Sequence, residues 1–203
     1  MFAFEWEKEL IAEWLSLEGY LVETNVTLMG NKKIADIIAV RLGEDKSIVW
    51  HIEIGNLLGN LNRNKEKIAN KFDEYKLRAI KRYLKEKLPL TGKTEYRRTF
   101  IANYCTRFKE LKDELQEMGI ELLLLSDLAK YEIPESIRRW KKRQQIGGAV
   151  KDWETMALPR KYTLLKVIEL LNDDLNPYTH SKQRNKYRYF VYQKTLNFKS
   201  QRK

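Results

Sequence analysis

The sequence predicts an α/β fold: a mixed central β-sheet with helices on both faces, followed by a basic C-terminal extension of helical and β character. Three observations lead there. Apolar side chains recur at helical spacing in residues 4–18, 61–87 and 107–118. Short runs rich in Val, Ile, Thr and Leu, at 20–28, 34–41, 47–54, 97–104 and 120–125, read as strands. The last two of these runs bracket a helix, the order that a parallel crossover requires.

The elements follow in order. Trp6, Leu10, Trp14 and Leu17 form the stripe of the first helix, Ile11 and Leu15 widen it, and Gly19 stops it. Strand 20–28 alternates, and Gly30 and Asn31 break the chain in a turn over 29–33. Strand 34–41, a turn at 42–46 and strand 47–54 complete an antiparallel meander. Residues 61–87 set Leu61, Ile68, Phe72, Tyr75 and Ala79 on one face of a single long helix, ended by Pro89. Strand 97–104, helix 107–118 with Gly119 behind it, and strand 120–125 close the core. Composition shifts after Pro134, so the chain divides into a core domain, 1–133, and a basic extension or small subdomain, 134–203. In the extension, 136–145 (SIRRWKKRQQ) reads as a basic helix broken by Gly147 and Gly148. Residues 162–175, with Leu164, Leu165, Ile168 and Leu171, read as an amphipathic helix, and 187–193 as the wing strand of a winged-helix-like unit. The last residues, 200–203, are expected to be disordered.

The 203 residues carry 39 Lys and Arg against 28 Asp and Glu, a net charge of +11. That balance favours a polyanionic partner, nucleic acid ahead of an anionic membrane. No helix shows a lipid-like apolar face, and the longest apolar runs, such as 122–125, are far too short to span a bilayer. The single cysteine, Cys105, excludes an internal disulfide, and with only His51 and His180 beside it the chain offers no Cys/His zinc cluster. The acidic, aromatic N-terminus does not look like a signal peptide. The expectation is a soluble, intracellular (cytoplasmic) protein with no membrane partner. The Lys/Glu/Ile-rich, Cys-poor composition resembles that of proteins from thermophilic archaea and their viruses.

Asp36 and Glu53 are the informative side chains. Each is a lone carboxylate inside an apolar run, IADIIAV and WHIEIGN. Burying such an acid is costly unless it is paired, hydrogen-bonded or metal-bound. Two of them on neighbouring strands joined by a short turn can converge on one divalent cation. His51 shares a face with Glu53, either as a neighbour of that cation or as a hydrogen-bonded structural histidine.

The segments EKELIAEWLSLEGYLVETN, ADIIAV and HIEIGN, with the element order around them, resemble the PD-(D/E)XK nuclease superfamily. The likeness covers roughly residues 4–126 and is nearest in flavour to the archaeal Holliday-junction resolvases. It implies a restriction-endonuclease-like fold and a metal-dependent endonuclease hydrolysing DNA phosphodiester bonds, with branched or structured DNA as substrate and a homodimer as the working form. Asp36 matches the family's aspartate, with Ala35 where proline is usual, and Glu53 matches its third-strand acid. Glu7 is the best match for the opening-helix glutamate, with Glu9 and then Glu5 as alternatives. The resemblance gives Mg²⁺ (or Mn²⁺) to Asp36, Glu53 and the backbone carbonyl of Ile54, and a water or second ion to Glu7. Gly55 stands where the family has its lysine. A lysine from the next helix could replace it: Lys65, Lys67 and Lys71 are available, with Lys67 the first choice and Lys71 the second.

Fourteen basic and five acidic residues lie between Arg63 and Arg107. Arg63, Lys65, Arg138 and Arg139 are expected to meet phosphates, as are Lys182, Arg184, Lys186 and Arg188 of the tail, where Tyr187, Tyr189, Phe190 and Tyr192 could stack on bases. The alternative for the tail is an edge strand with one aromatic and one cationic face. Because Gly55 lacks the lysine, a second reading is a non-catalytic nucleic-acid-binding protein on a degenerate nuclease fold. An RNA-processing factor is a third.

Overall fold

Residues Glu5–Leu17 coil into α1, and Gly19, at φ +86°, ends it. Glycine takes that left-handed angle without a Cβ clash. The computed structural model describes residues 5–28, 32–88, 90, 92–146, 156–172 and 174–177. The turn at 29–31, Gly147–Gly148 and the proposed wing at 187–193 lie outside them. Leu10, Ile11, Trp14 and Leu15 are buried on α1, but Trp6 is 49% exposed. Glu7 and Lys8 take the inward positions of the first turn instead, in line with Ile11, Trp14 and Leu15 at helical spacing.

Strands β1 (Leu21–Leu28), β2 (Lys32–Arg41) and β3 (Lys46–Leu57) form the antiparallel meander. The chain then crosses over through helical segments to β4 (Lys93–Cys105), parallel to β3. α4 (Phe108–Glu117) returns it to the short β5 (Glu121–Leu124), parallel to β4. The result is a five-stranded mixed sheet in the order β1-β2-β3-β4-β5. Consecutive strand residues point to opposite faces, and Trp50 and His51 mark the two. Trp50 meets Trp14 of α1 edge-on, with ring centroids 6.0 Å apart. His51 meets Phe72 at 4.7 Å, on the other side. Helices therefore cover both faces.

The crossover is not one helix. α2 (Leu61–Ala69) runs into a 3-10 turn (Asn70–Phe72), and α3 (Glu74–Lys87) starts afresh. Asp73 is extended, at ψ 162°, and its side chain accepts from the Lys76 amide at 2.7 Å, an N-cap in the middle of the expected helix. The break lets the apolar stripe change target. Ile68 and Phe72 pack with Leu57, Phe100, Leu111 and Leu115. Ile80 and Leu84 pack with Val26, Ile38, Val40 and Val49. Tyr75, placed on the single stripe by its spacing, falls just past the break and is 49% exposed.

After β5 come α5 (Leu125–Asp127) and a π turn (Leu128–Glu132), neither of which the sequence pattern signalled. The chain divides into two compact units, Met1–Ile133 and Pro134–Lys203. α6 (Ile133–Ile146) begins at that boundary, and α7 (Thr163–Leu171) follows. α7 stops at Asn172, short of the expected Leu175, because Asn172 and not a helical residue takes the cap position, at ψ 108°. Within the second unit Lys141 of α6 and Glu169 of α7 form an ion pair of 2.6 Å, with side chains 0% and 2% exposed. No helix among the described residues is long and apolar enough to cross a membrane.

Candidate functional site

The β2–β3 ladder runs from Arg41↔Ile48 to Ile37↔Ile52. One step further in that register sets Asp36 opposite Glu53, but there the ladder has ended. The Ile54 amide has no β2 carbonyl to bind, and the Asp36 carboxylate takes that place, Oδ2 accepting from Ile54 N at 2.9 Å. Both acids are buried, at 3% exposure each. The contact with Ile54 is through its amide, whereas the resemblance implied its carbonyl as a metal ligand.

Lys71 bridges the two acids. Its ammonium lies 2.5 Å from Glu53 Oε2 and 3.7 Å from Asp36 Oδ2. The 3-10 turn makes this reach available, since Lys71 sits beside the buried Phe72 rather than along a straight helix. Lys67, the first choice from sequence, is exposed, and its nearest partner is the Asn56 carbonyl at 3.5 Å. Burial opposes the charge on Lys71, but the attraction and hydrogen bond of Glu53, helped by Asp36, outweigh it and raise its pKa above the ordinary 10.5. The ion pair contributes fully below the unfolded value of 10.5, and its contribution is lost as pH rises through the higher folded value. Wild-type stability should therefore fall more steeply above pH 10.5 than that of Lys71→Met, read by urea unfolding across the alkaline range. Equal slopes would mean that the bridge does not hold in solution.

Behind Glu53 the chain of hydrogen bonds continues. His51 Nε2 lies 3.1 Å from Glu53 Oε1, and His51 Nδ1 lies 2.9 Å from Tyr96 Oη. Burial pushes the Tyr96 phenol well above its usual pKa, so its hydroxyl is intact at neutral pH. With that hydroxyl donating to Nδ1, the ring proton on Nε2 points at Glu53 and both nitrogens are satisfied. His51, 1% exposed, is thus an orienting residue for Glu53.

The helix α1 contributes more than the glutamate read from sequence. Glu7, 2% exposed, accepts from Asn103 Nδ2 of β4 at 2.5 Å. Its neighbour Lys8 turns to β2 and places Nζ 3.9 Å from Asp36 Oδ1. Lys8 was missed because a lysine on a helix reads as solvated, yet its spacing from Ile11 and Leu15 puts it on the buried face. Glu5 lies at the exposed end and pairs with Lys8.

An ammonium held between two carboxylates marks a point where hard oxygens converge on a cation. That donor set suits Mg²⁺, which takes one or two carboxylates and fills its shell with water and phosphate oxygens. Among the described residues no group of three or more His, Cys, Asp and Glu side chains could hold a metal ion. Asp36 and Glu53 are the two carboxylates that Lys71 brings together here. No family model, curated protein or solved structure matches the chain.

The expected phosphate contacts differ in what each side chain meets. Arg63 is exposed, while Lys65 is paired with Glu114 at 3.0 Å. In the second unit Arg138 is paired with Glu135, and Arg139 donates to Ser136 Oγ at 2.9 Å. Lys182, Arg184, Lys186 and Arg188 lie outside the described residues.

Proposed function

We propose that the protein is a metal-dependent endonuclease acting on DNA, with a restriction-endonuclease-like core. One observation carries the reading: a single ammonium, Lys71, lies within ion-pair distance of both buried strand carboxylates. Acid, acid and amine then stand together although the sequence separates them by up to 35 positions, from Asp36 to Lys71. When bound, a divalent cation supplies Lewis acidity and neutralises phosphate charge. The chain's own residues do the rest. Asp36 and Glu53 hold the cation, His51 fixes the carboxylate plane of Glu53, and Lys71 stabilises negative charge developing on the phosphate. The net charge of +11 attracts the substrate. Pairing of two copies, which would let both strands be cut, belongs to the same proposal.

Lys71 takes the part of the lysine that the family carries at position 55. The backbone at Gly55 accepts a side chain's first atom: a Cβ built there meets Phe100 Cζ at 3.5 Å, an ordinary contact. Position 55 also shares a strand face with Glu53. Lys71→Ala should slow Mg²⁺-dependent cleavage of labelled duplex, single-stranded and four-way-junction DNA by roughly 10²–10³-fold. Adding Gly55→Lys to that variant should recover a large part of the loss. Undiminished cleavage by Lys71→Ala would refute the assignment.

A second reading keeps the fold and the DNA affinity without cleavage. It is favoured by the partners already in place: the charges of Lys71 and Lys8, with hydrogen bonds from His51 and the Ile54 amide, hold both acids without any metal. Wild-type protein that binds DNA in a salt-sensitive way, yet cuts none of these substrates with Mg²⁺ or Mn²⁺, would establish it.

A further inference from the structure

Lys8 is a buried cation that the proposed chemistry does not use. Its side chain is 7% exposed, against 29% for Lys71. Three groups hold its ammonium. Asn25 Oδ1 accepts at 2.6 Å, Glu5 Oε1 lies 3.3 Å away and Asp36 Oδ1 3.9 Å away. Asn25 is built for this task. It is one of two non-glycine residues with positive φ among those described, at 53°, and it sits in β1 just before the register shift at Val26/Thr27. Asparagine tolerates that conformation better than most residues. Asn25 Nδ2 also donates to Glu5 Oε2 at 3.3 Å, so the bulge, the helix start and Lys8 lock one another.

The two lysines therefore divide Asp36 between them. Lys8 faces Oδ1 and Lys71 faces Oδ2. Lys71 is the more exposed, hangs from a 3-10 turn and can withdraw. Lys8 is fixed in the protein. Glu7, to which the resemblance gave a water or second ion, has one oxygen engaged by Asn103.

Building on the divalent-cation reading above, we infer that Lys8 is a resident counter-cation, which closes the Oδ1 side of Asp36 and limits the carboxylate pair to one divalent ion, taken where Lys71 now reaches. Its charge, close to that position, also weakens the binding of the ion.

Mn²⁺ titration of the full-length protein, read by the electron paramagnetic resonance signal of the free ion, tests this without any cleavage. Wild type should take one ion per chain. Lys8→Met should take a second ion or bind the first about tenfold more tightly or better. Lys8→Arg, which keeps the charge, should match wild type. Should Lys8→Met fail to fold by circular dichroism, Lys8→Gln, which retains a donor for Asn25, serves in its place. Two ions on the wild type would overturn the inference, and so would equal count and affinity in wild type and the neutral variant. If wild type and Asp36→Asn alike take up no Mn²⁺, the divalent-cation reading itself falls.

Discussion

Asp36→Asn is expected to lower Mg²⁺-dependent DNA cleavage by roughly 10³-fold or more while leaving fold and DNA affinity nearly intact. The rate follows from chemistry: the change removes one of two carboxylates that hold the cation, whose charge stabilisation amounts to several kcal/mol. The survival of the fold follows from geometry. The amide oxygen of asparagine can still accept from the Ile54 N–H, which the Asp36 carboxylate caps at 2.9 Å. Alanine would be a poorer probe. It would orphan that amide, which confuses loss of chemistry with loss of structure. Cleavage and binding are best followed together, by gel assay and by fluorescence anisotropy at two salt concentrations. Cleavage by Asp36→Asn at the wild-type rate would remove the acid from the mechanism.

In the C-terminal unit, Lys141→Met should cost about 3–5 kcal/mol of stability. Lys141 Nζ pairs with Glu169 Oε1 at 2.6 Å and donates to the Leu175 carbonyl at 2.6 Å. Glu169 Oε2 accepts from the Leu158 amide at 3.3 Å. Four positions of the unit, on α6, on α7 and on the chain at either side of α7, are thus joined through one pair with almost no access to water. Methionine fills the volume but abandons a carboxylate that water cannot reach. The double change Lys141→Met with Glu169→Leu should recover most of the loss, because a well-packed apolar pair often replaces a buried ion pair at little cost. Hydrogen exchange of α6 and α7 amides in the full chain reads this unit apart from the sheet. Protection in Lys141→Met equal to wild type would mean that the pair is not formed in solution.

How far the sequence led can be traced residue by residue. The strands were legible as apolar runs bounded by turn residues, although β4 begins at Lys93, before its apolar run. The antiparallel meander and the parallel β4–β5 pair followed from the turns and the helix between them, whereas the parallel pairing of β3 with β4 was not read. Asp36 and Glu53 stood out because a carboxylate within an apolar run demands a partner. What the partner was could not be read. Lys67 and Lys71 lie one turn apart on an unbroken helix, and only the end of α2 at Ala69, with the 3-10 turn that carries Lys71, separates them. A stripe running through Phe72 to Ala79 concealed the break, since its two halves pack on different clusters. Lys8 kept step with Ile11 and Leu15 but was discounted for its charge. The short helical pieces after β5 have too few turns to make a period.

The sheet ends unevenly, and that has a consequence for how the protein behaves in company. β4 has 13 residues but meets β5 only from Thr99 to Ala102, so the stretch Lys93–Arg98 has no β5 partner among the described residues. A bare row of amides and carbonyls invites another chain to zip on. Here Lys93, Arg97 and Arg98 crowd that row, with Glu95 tied to Lys46 and Arg97. An incoming strand of the same protein would set cations against cations. Positive charge along this open part of β4 thus works against edge-to-edge pairing of neighbouring copies in a crowded solution, where an uncharged edge would let them stack into fibres.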